Sequence, residues 1–210
     1  MSNLKPIKIF WRVLVILEEL DLPYETSYVE LDEFKRPPLT DVNPNGRIPA
    51  IIDPNTGLKL WESGAIIQYL IDTYDNDNKL TYTGFPEKYQ LTQWSFFQAS
   101  GQGPYFGQTA WFNIFHEKTY GETLESAKVR YGSEVKRVAG VLNTVLSEKE
   151  WLVGDKCTYA DLAFVIRTDE HAWNPEEFPH FTRWQNAMVA RPSVAKVISV
   201  LNDKEVKKDA

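Results

Sequence analysis

Residues 43–63, with the sequence NPNGRIPAIIDPNTGLKLWES, decide the fold of this chain. They predict a loop, a strand over Ile48–Ile52, a hairpin turn and a returning strand over Leu58–Trp61, because apolar runs alternate with clusters of Pro, Asn and Gly. Glu62-Ser63-Gly64 then opens a periodic helix. Pro49 lies within the first strand run, where a residue without an N–H belongs at a strand start or an edge. The stretch therefore predicts a bent sheet edge that leads into a helix.

The two ends of this stretch can hold the charged and extended parts of a peptide-like ligand. A bend at Pro49, or a cis bond before it, leaves the backbone N–H and C=O of Ile48 free to pair with an extended chain. Ser63 stands at a helix N-terminus, where N–H groups point outward and attract a carboxylate. Glu62 beside it can hold an ammonium group. In the alternative reading, Pro49 only shapes an edge and Ser63 only caps a helix.

The residues Asn-Pro-Asn-Gly-Arg-Ile-Pro-Ala over 43–50, followed by Trp-Glu-Ser-Gly-Ala-Ile over 61–66, resemble the glutathione site of the glutathione transferase superfamily. Two short motifs that occur in order at the family's spacing make the resemblance specific. It implies a cytosolic enzyme that binds glutathione as its cosubstrate.

The resemblance also implies a role for each residue of the two motifs. Ile48 would pair with the cysteinyl backbone of glutathione, before a cis proline at Pro49. Glu62 and Ser63 would bind the γ-glutamyl end, and Arg47 would supply positive charge near the site.

A further positive charge is available in the polar, proline-rich segment before the first motif. Lys35 or Arg36 can reach the glycyl carboxylate of glutathione. The alternative for each of them is an ordinary solvated surface charge.

The first 80 residues predict a strand–helix–strand unit followed by the hairpin and its helix. The strands are expected over Ile7–Phe10 and Tyr24–Leu31, on either side of a helix over Trp11–Leu20. This helix should bury one face, formed by Val13, Leu17 and Leu20. The order βαβ–ββα is thioredoxin-like, and the handedness of parallel crossovers fixes its topology.

A polar linker over Asp72–Pro86 separates this part from a region with a helical period throughout. We therefore predict an α/β + all-α protein with a thioredoxin-like, glutathione-binding N-terminal domain over 1–80 and an all-helical C-terminal domain over 87–210. The helices are expected at Glu87–Gly101, Tyr105–Glu117, Glu122–Leu146, Tyr159–Ala172, Pro179–Ala190 and Val194–Leu201.

The junction between Phe10 and Trp11 contains no residue that turns a chain. A connection between a strand and a helix usually needs about 2–6 residues. In the family that this chain resembles, a longer loop lies here and carries the group that contacts the glutathione sulfur. Either the protein has lost this loop, or residues are missing from the sequence at this point; ordinary loop lengths favour the second explanation. No catalytic residue can be named in either case.

An aromatic segment over Ser100–Phe112 resembles the nu class and the fungal subgroup related to the yeast nitrogen-catabolite regulator. Its Gly103-Pro104 pair should break or kink a long helix. Tyr105 and Trp111 can line an apolar acceptor site and a dimer surface. Core packing at helical spacing is an equally good reading of both side chains.

Three other features predict structure rather than chemistry. Thr158 and Asp161 have the spacing of a helix capping box, which makes Asp161 a structural carboxylate. Cys157 is the only cysteine of the chain, and a lone cysteine before a cap is more often inert than nucleophilic. The histidines have no ligand-like spacing, so we expect no metal site.

Composition narrows the classes of function. A net charge of -6 and the lack of a basic run argue against a nucleic-acid partner. One cysteine suits a reducing cytoplasm, and no apolar run reaches membrane-spanning length.

By resemblance, the expected function is that of a transferase that detoxifies hydrophobic electrophiles and forms a homodimer. Reduction of a disulfide or peroxide acceptor by glutathione is an alternative chemistry. A non-catalytic glutathione-binding regulator with the same fold is an alternative from another class.

Overall fold

The computed structural model describes residues 11–27, 29, 33–165 and 173–206, with side chains up to residue 200. Contacts divide the chain into two compact units, one of residues 1–79 with 190–210 and one of residues 80–189. The domains expected over 1–80 and 87–210 stay a prediction. The contact units differ from them because the last residues group with the first unit.

Helix α1, Trp11–Glu19, is buried on almost every side. Its four consecutive residues 13–16 are at most 3% exposed. This corrects the expectation of a single apolar face, because α1 packs against both α2 (Ser63–Tyr74) and α9 (Pro192–Val206). A helix that is covered on two sides is apolar on more than one stripe. Of the three side chains expected to form that single face, Val13 is buried, but Leu17 and Leu20 are only half-buried.

The hairpin expected over 48–61 forms from strands β1, Ala50–Ile52, and β2, Lys59–Trp61. The two strands are antiparallel, with Ala50 opposite Trp61. Gly57 closes the turn with a φ of +73°, a left-handed conformation that glycine adopts without steric cost.

The other two expected strands lie largely outside the described residues. This applies to all of Ile7–Phe10, and therefore to the Phe10–Trp11 junction. In the second strand, the described residues 24–27 and 29 are irregular. A strand is defined by hydrogen bonds to a partner strand, and the expected partner here is Ile7–Phe10. The βαβ half of the fold is therefore judged by comparison with other proteins, below.

Residues 87–120 form one continuous helical run, where the sequence predicted two helices with a break between them. Pro104 lies inside this run. Just before it the Gly103 N–H donates to the Gln98 carbonyl, five residues back, in a π-helical turn. The wider turn makes room where the proline ring would otherwise meet the carbonyl four residues back. The run consists of α3 (Glu87–Phe97), a π turn (Gln98–Gln102), α4 (Gly103–Ala110), a second π turn (Trp111–Phe115) and α5 (His116–Tyr120).

The core of the second unit lies between long helices. Helix α6, Glu125–Val145, packs against α4 and against α8, Pro179–Val189. Its buried residues follow the helical period: Val135, Val138, Ala139 and Leu142. Three fully buried aromatic rings complete this core: Phe164, Phe181 and Trp184.

Helix α7, Tyr159–Leu162, is only one turn long, although the sequence predicted a helix up to Ala172. Residues 163–165 continue as a turn, and residues 166–172 lie outside the described part. Every residue of the run 160–165 is buried. An apolar run without a polar face does not show where a helix ends, which explains the error.

Candidate functional site

The hairpin register brings the two sequence motifs side by side. Since Ala50 lies opposite Trp61 in an antiparallel pair, the residues before Ala50 and those after Trp61 meet at the same end of the hairpin. The Ile48–Pro49 peptide bond is cis, as the sequence suggested, and Pro49 is buried. Ile48 is half-buried and precedes the first ladder pair. Among the described residues no strand pairs with its backbone, at the position where the sequence predicted a partner.

Asn43 organises the loop that leads to this edge, a role that sequence reasoning missed. It is 2% exposed. Its Nδ2 donates to the Arg47 carbonyl at 2.6 Å, and its Oδ1 accepts from the Asn45 N–H at 2.9 Å. The Gly46 N–H donates to the Asn43 carbonyl at 2.8 Å. An asparagine that bonds the backbone two residues on is a known turn signal, and the Asn-Pro-Asn triplet contains it.

The loop before the hairpin packs closely on the preceding segment. Gly46 has a φ of +57°, and a Cβ atom there would lie 2.4 Å from the Phe34 carbonyl oxygen. Lys35 Nζ donates to the Asn45 carbonyl at 2.5 Å, so one donor of this ammonium already has a structural use. Arg47 is exposed. Of the two cations, Arg47 is thus the better placed to meet an anion from solvent.

Glu62 and Ser63 form the junction between β2 and α2. Ser63 is the first residue of α2, and the Ile66 N–H donates to the Glu62 carbonyl at 2.9 Å. Glu62 has a φ of +70° and a ψ of +116°. A residue with a side chain avoids this region, and such strain persists only where the surroundings fix it, often at a binding site. The side chain of Glu62 is exposed.

Tyr105 and Trp111 lie in the second unit. Arg137 lies over the Tyr105 ring, 5.9 Å from its centre. Trp111 is 37% exposed and stacks on Phe115 with ring centres 6.1 Å apart. Both rings therefore lie at a partly exposed aromatic surface, and neither is in the buried core. Their role in an acceptor site stays a prediction.

The residues expected to be structural are buried. The Thr158 N–H and Oγ1 both donate to Asp161 Oδ2 at 2.9 Å, which confirms the capping box. Asp161 Oδ1 accepts from the Leu152 N–H and from Trp184 Nε1, each at 2.9 Å. Cys157 is 7% exposed, as suits a structural thiol.

Comparison with known proteins identifies the family. Residues 6–72 match "Glutathione S-transferase, N-terminal domain", and residues 107–199 match "Glutathione S-transferase, C-terminal domain". The chain belongs to the glutathione S-transferase family. Membership confirms the predicted fold class, a small sheet domain followed by a helical one.

Fungal proteins are among the relatives of this transferase-family chain. It is 44% identical to the glutathione S-transferase-like protein gedE of Aspergillus terreus, covering 96% of this chain and 98% of that protein. The solved structure of glutathione transferase URE2P6 from Phanerochaete chrysosporium, in complex with oxidized glutathione, is 43% identical. It covers 97% of this chain and 94% of that chain, with a TM-score of 0.87.

A second structure from the same fungus adds a bound conjugate. Ure2p5, cocrystallized with 1-(S-glutathionyl)-2,4-dinitrobenzene, is 38% identical and covers 98% of this chain and 94% of that chain, with a TM-score of 0.85. These neighbours place the transferase-family chain in the Ure2-like subgroup, as the aromatic segment suggested.

The alignment with gedE is longer than this chain. It extends over 225 positions, whereas this chain has 210 residues. The relative therefore has residues that this chain lacks within the aligned region. A shorter connection somewhere in this transferase-family chain is a feature of its sequence.

Proposed function

We propose that this protein binds glutathione along the Ile48–Pro49 edge and activates it as a thiol nucleophile. The observation that carries the proposal is the hairpin register, which sets the Ile48–Pro49 backbone beside a helix N-terminus. A tripeptide with an extended backbone and a carboxylate at each end complements this arrangement. The bound glutathione species in two relatives support the ligand class.

Each part of glutathione finds a complementary group in the proposed pose. The γ-glutamyl carboxylate meets the first N–H groups of α2 and the Ser63 hydroxyl, while its ammonium group meets Glu62. The cysteinyl N–H and C=O pair with the Ile48 backbone. Arg47 attracts the glycyl carboxylate, and the choice between Lys35 and Arg36 as its helper stays a prediction.

The reaction we propose is attack of the glutathione thiolate on a hydrophobic electrophile. A C–S bond forms at an electrophilic carbon, the leaving group departs with its electron pair, and the thiol proton passes to solvent. The N-terminus of α1, at Trp11, favours the thiolate if it faces the sulfur. The protein supplies position and electrostatics, and glutathione brings the reactive atom.

A binding protein without turnover is the second candidate. It is favoured by the junction at Phe10–Trp11, which offers no hydroxyl, thiol or amide side chain to contact the sulfur.

Three measurements on the purified chain separate these functions. Calorimetric titration with glutathione tests binding, an aryl halide tests conjugation, and hydroxyethyl disulfide tests disulfide reduction. Binding with aryl-halide turnover supports the transferase, binding with only disulfide turnover supports a reductase, and binding without turnover supports the second candidate. A chain that does not bind glutathione contradicts all three.

We also propose a homodimer that forms through the exposed side of α3. Phe85, Tyr89 and Phe96 are 84%, 67% and 70% exposed. Tyr89 and Phe96 are seven residues apart, so they lie on the same side of the helix. Large aromatic groups are enriched at interfaces. Sedimentation equilibrium should give twice the chain mass, and a Phe96→Glu variant should give the mass of one chain.

A further inference from the structure

Asp53, which follows β1, binds two tyrosine hydroxyl groups of α2. Its carboxylate is 6% exposed. Tyr69 Oη and Tyr74 Oη donate to its Oδ2 at 2.6 and 2.5 Å. These two donors, Tyr69 first, lower the pKa of Asp53 to about 2. The group is therefore a carboxylate at neutral pH, and it attaches the hairpin turn to the helix.

The same turn is closed around Asp53 by local bonds. The Asp53 N–H donates to the Leu58 carbonyl at 2.9 Å, and the Gly57 N–H donates to the Asp53 carbonyl at 2.8 Å. Asp53 Oδ1 accepts from the Asn55 N–H at 2.8 Å. The carboxylate thus bonds the turn through one oxygen and the helix through the other. A movement of the turn relative to α2 would break one of these two sets of hydrogen bonds.

The Asp53 carboxylate lies at the opposite end of the hairpin from the candidate site. Three residues of extended chain separate Asp53 from Ala50, a distance of roughly 10 Å. Along the helix, Tyr69 is six residues after Ser63, or about 9 Å. The hairpin is therefore joined to α2 in two places, covalently at Glu62 and by hydrogen bonds at its turn. At the turn, Asp53 accepts from both tyrosines, Thr56 Oγ1 lies 2.8 Å from Tyr69 Oη, and Asn55 Nδ2 donates to Tyr74 Oη at 3.3 Å.

The two connections explain how Glu62 keeps its strained backbone. Without the bonds at the turn, only packing and the covalent junction hold the hairpin on α2, and the φ of +70° at residue 62 has more freedom to relax to a common value. The second connection removes this freedom. Relaxation would shift the Glu62 carboxylate and the first N–H groups of α2 relative to the Ile48–Pro49 edge.

We infer that Asp53 is a positioning residue for the γ-glutamyl end of glutathione, which it serves by fixing the hairpin on α2 and thereby the Glu62–Ser63 junction. The inference rests on the proposed glutathione site. It assigns to Asp53 no contact with the ligand. Its loss should therefore affect the γ-glutamyl group and spare the cysteinyl backbone, which binds at the edge of the hairpin itself.

Two matched probes test this selectivity by calorimetry: S-hexylglutathione and S-hexyl-cysteinylglycine, which differ only in the γ-glutamyl group. The variants are Asp53→Ala and the milder Asp53→Asn, with Asp155→Ala as the control. Asp155 also accepts a tyrosine hydroxyl, from Tyr82 at 2.5 Å, but it lies in the second unit and bonds neither the hairpin nor α2. Circular dichroism at the titration temperature confirms that each variant is folded.

Asp53→Ala should weaken S-hexylglutathione about tenfold, the scale of one lost hydrogen bond, and change S-hexyl-cysteinylglycine by less than about twofold. Asp53→Asn should fall between Asp53→Ala and the wild type, and Asp155→Ala should match the wild type. Where Asp53→Ala does not fold, Asp53→Asn and a Tyr69→Phe/Tyr74→Phe double variant decide the question by the same selectivity.

Equal weakening of both probes, or no weakening of either, overturns the inference. A wild-type chain that binds neither probe overturns the proposed function, and this inference with it. If the wild type binds the probes and the Asp53 variants lose affinity selectively for S-hexylglutathione, the positioning role is supported.

Discussion

At the scale of single residues, a substitution at Ser63 tests glutathione binding separately from folding. It is half-buried at the start of α2, and within the described part of the chain its hydroxyl makes no hydrogen bond. Its hydroxyl is thus available to a ligand carboxylate. Ser63→Ala should therefore weaken glutathione binding about tenfold or more, the value of a hydrogen bond to a charged group, and leave the melting temperature nearly unchanged.

Titration calorimetry and thermal melting measure the two effects on one sample. Ser133→Ala is the matched control, because Ser133 is an exposed helical serine of the second unit that bonds only its own helix, at the Val129 carbonyl. A Ser63→Ala variant that melts early yet binds glutathione normally would mean that Ser63 is a structural residue.

Gly46 and Gly57 both have a positive φ, so the losses of stability on their substitution by alanine can be compared. At Gly57 an added Cβ meets nothing within 4 Å, so Gly57→Ala should cost only the conformational term, about 1 kcal/mol. At Gly46 the Cβ also meets the Phe34 carbonyl oxygen, so Gly46→Ala should reduce the free energy of unfolding by about 2–4 kcal/mol. Urea titration compares the two, and equal losses would show that the Phe34 contact yields without cost.

The sequence predicted the residues of the candidate site better than the residues that hold them. Pro49 and Ser63 belong to local patterns of a few residues. Asp53 acts through bonds to hydroxyl groups 16 and 21 residues away, and bonds of that kind depend on the register of the hairpin on α2. Only the folded chain supplies that register. The binding roles themselves await the titrations above.

At the scale of secondary-structure elements, the buried capping box of α7 should dominate the stability of the second unit. Asp161 accepts from three N–H donors and one hydroxyl, and it is 0% exposed. Asp161→Ala leaves these buried donors without an acceptor. We expect a loss of about 3–5 kcal/mol in the free energy of unfolding, read from urea titration.

Asp155→Ala provides the control for this loss. Asp155 also accepts a hydroxyl, from Tyr82 at 2.5 Å, but it is exposed. Its removal should change stability little, because water replaces the partner. If both variants lose the same stability, burial of the Asp161 donors is not the cause.

Element boundaries were the weakest part of the sequence prediction. Gly103-Pro104 correctly marked an irregular turn, but the sequence could not show that the helix absorbs it as a π turn rather than breaking. That choice depends on tertiary contacts such as the packing of α4 against α6. The one-sided pattern expected for α1 failed for the same reason, since its second cover, α9, comes from the far end of the chain.

At the scale of the whole molecule, a buried ion pair connects distant parts of the sequence. Glu19 is 5% exposed; its two oxygens accept from Arg191 Nε at 2.7 Å and Nη2 at 2.8 Å, and Ser193 Oγ donates to it at 2.5 Å. Burial raises the pKa of Glu19, but the bonds from Arg191 and Ser193 outweigh it, so the pKa lies below its ordinary value.

This ion pair should make the free energy of unfolding depend on pH. A carboxylate with a lowered pKa in the folded state stabilises the protein above its unfolded pKa, near 4.5, and this contribution is lost as the pH falls through the lower folded value. The free energy of unfolding of the wild type should therefore fall below about pH 4.5. Asp53, with its pKa of about 2, adds to the same trend.

Glu19→Gln isolates the contribution of the pair. The variant should be less stable at pH 7 by about 3 kcal/mol, the scale of a broken buried ion pair, and its stability should fall less steeply in acid. Glu18→Gln, which affects the more exposed partner Lys196, should give a smaller loss. Parallel curves of stability against pH for wild type and Glu19→Gln would contradict this assignment.

The return of α9 to α1 has a consequence for synthesis on the ribosome. Val194 and Val197 are at most 1% exposed, and Arg191 completes the shell of Glu19. The first seventy-nine residues therefore leave the ribosome long before α9, the helix that packs on α1. The first unit is translated first, but it can complete its packing only after α9 has been synthesised. Until then the side of α1 that α9 covers is accessible to chaperones.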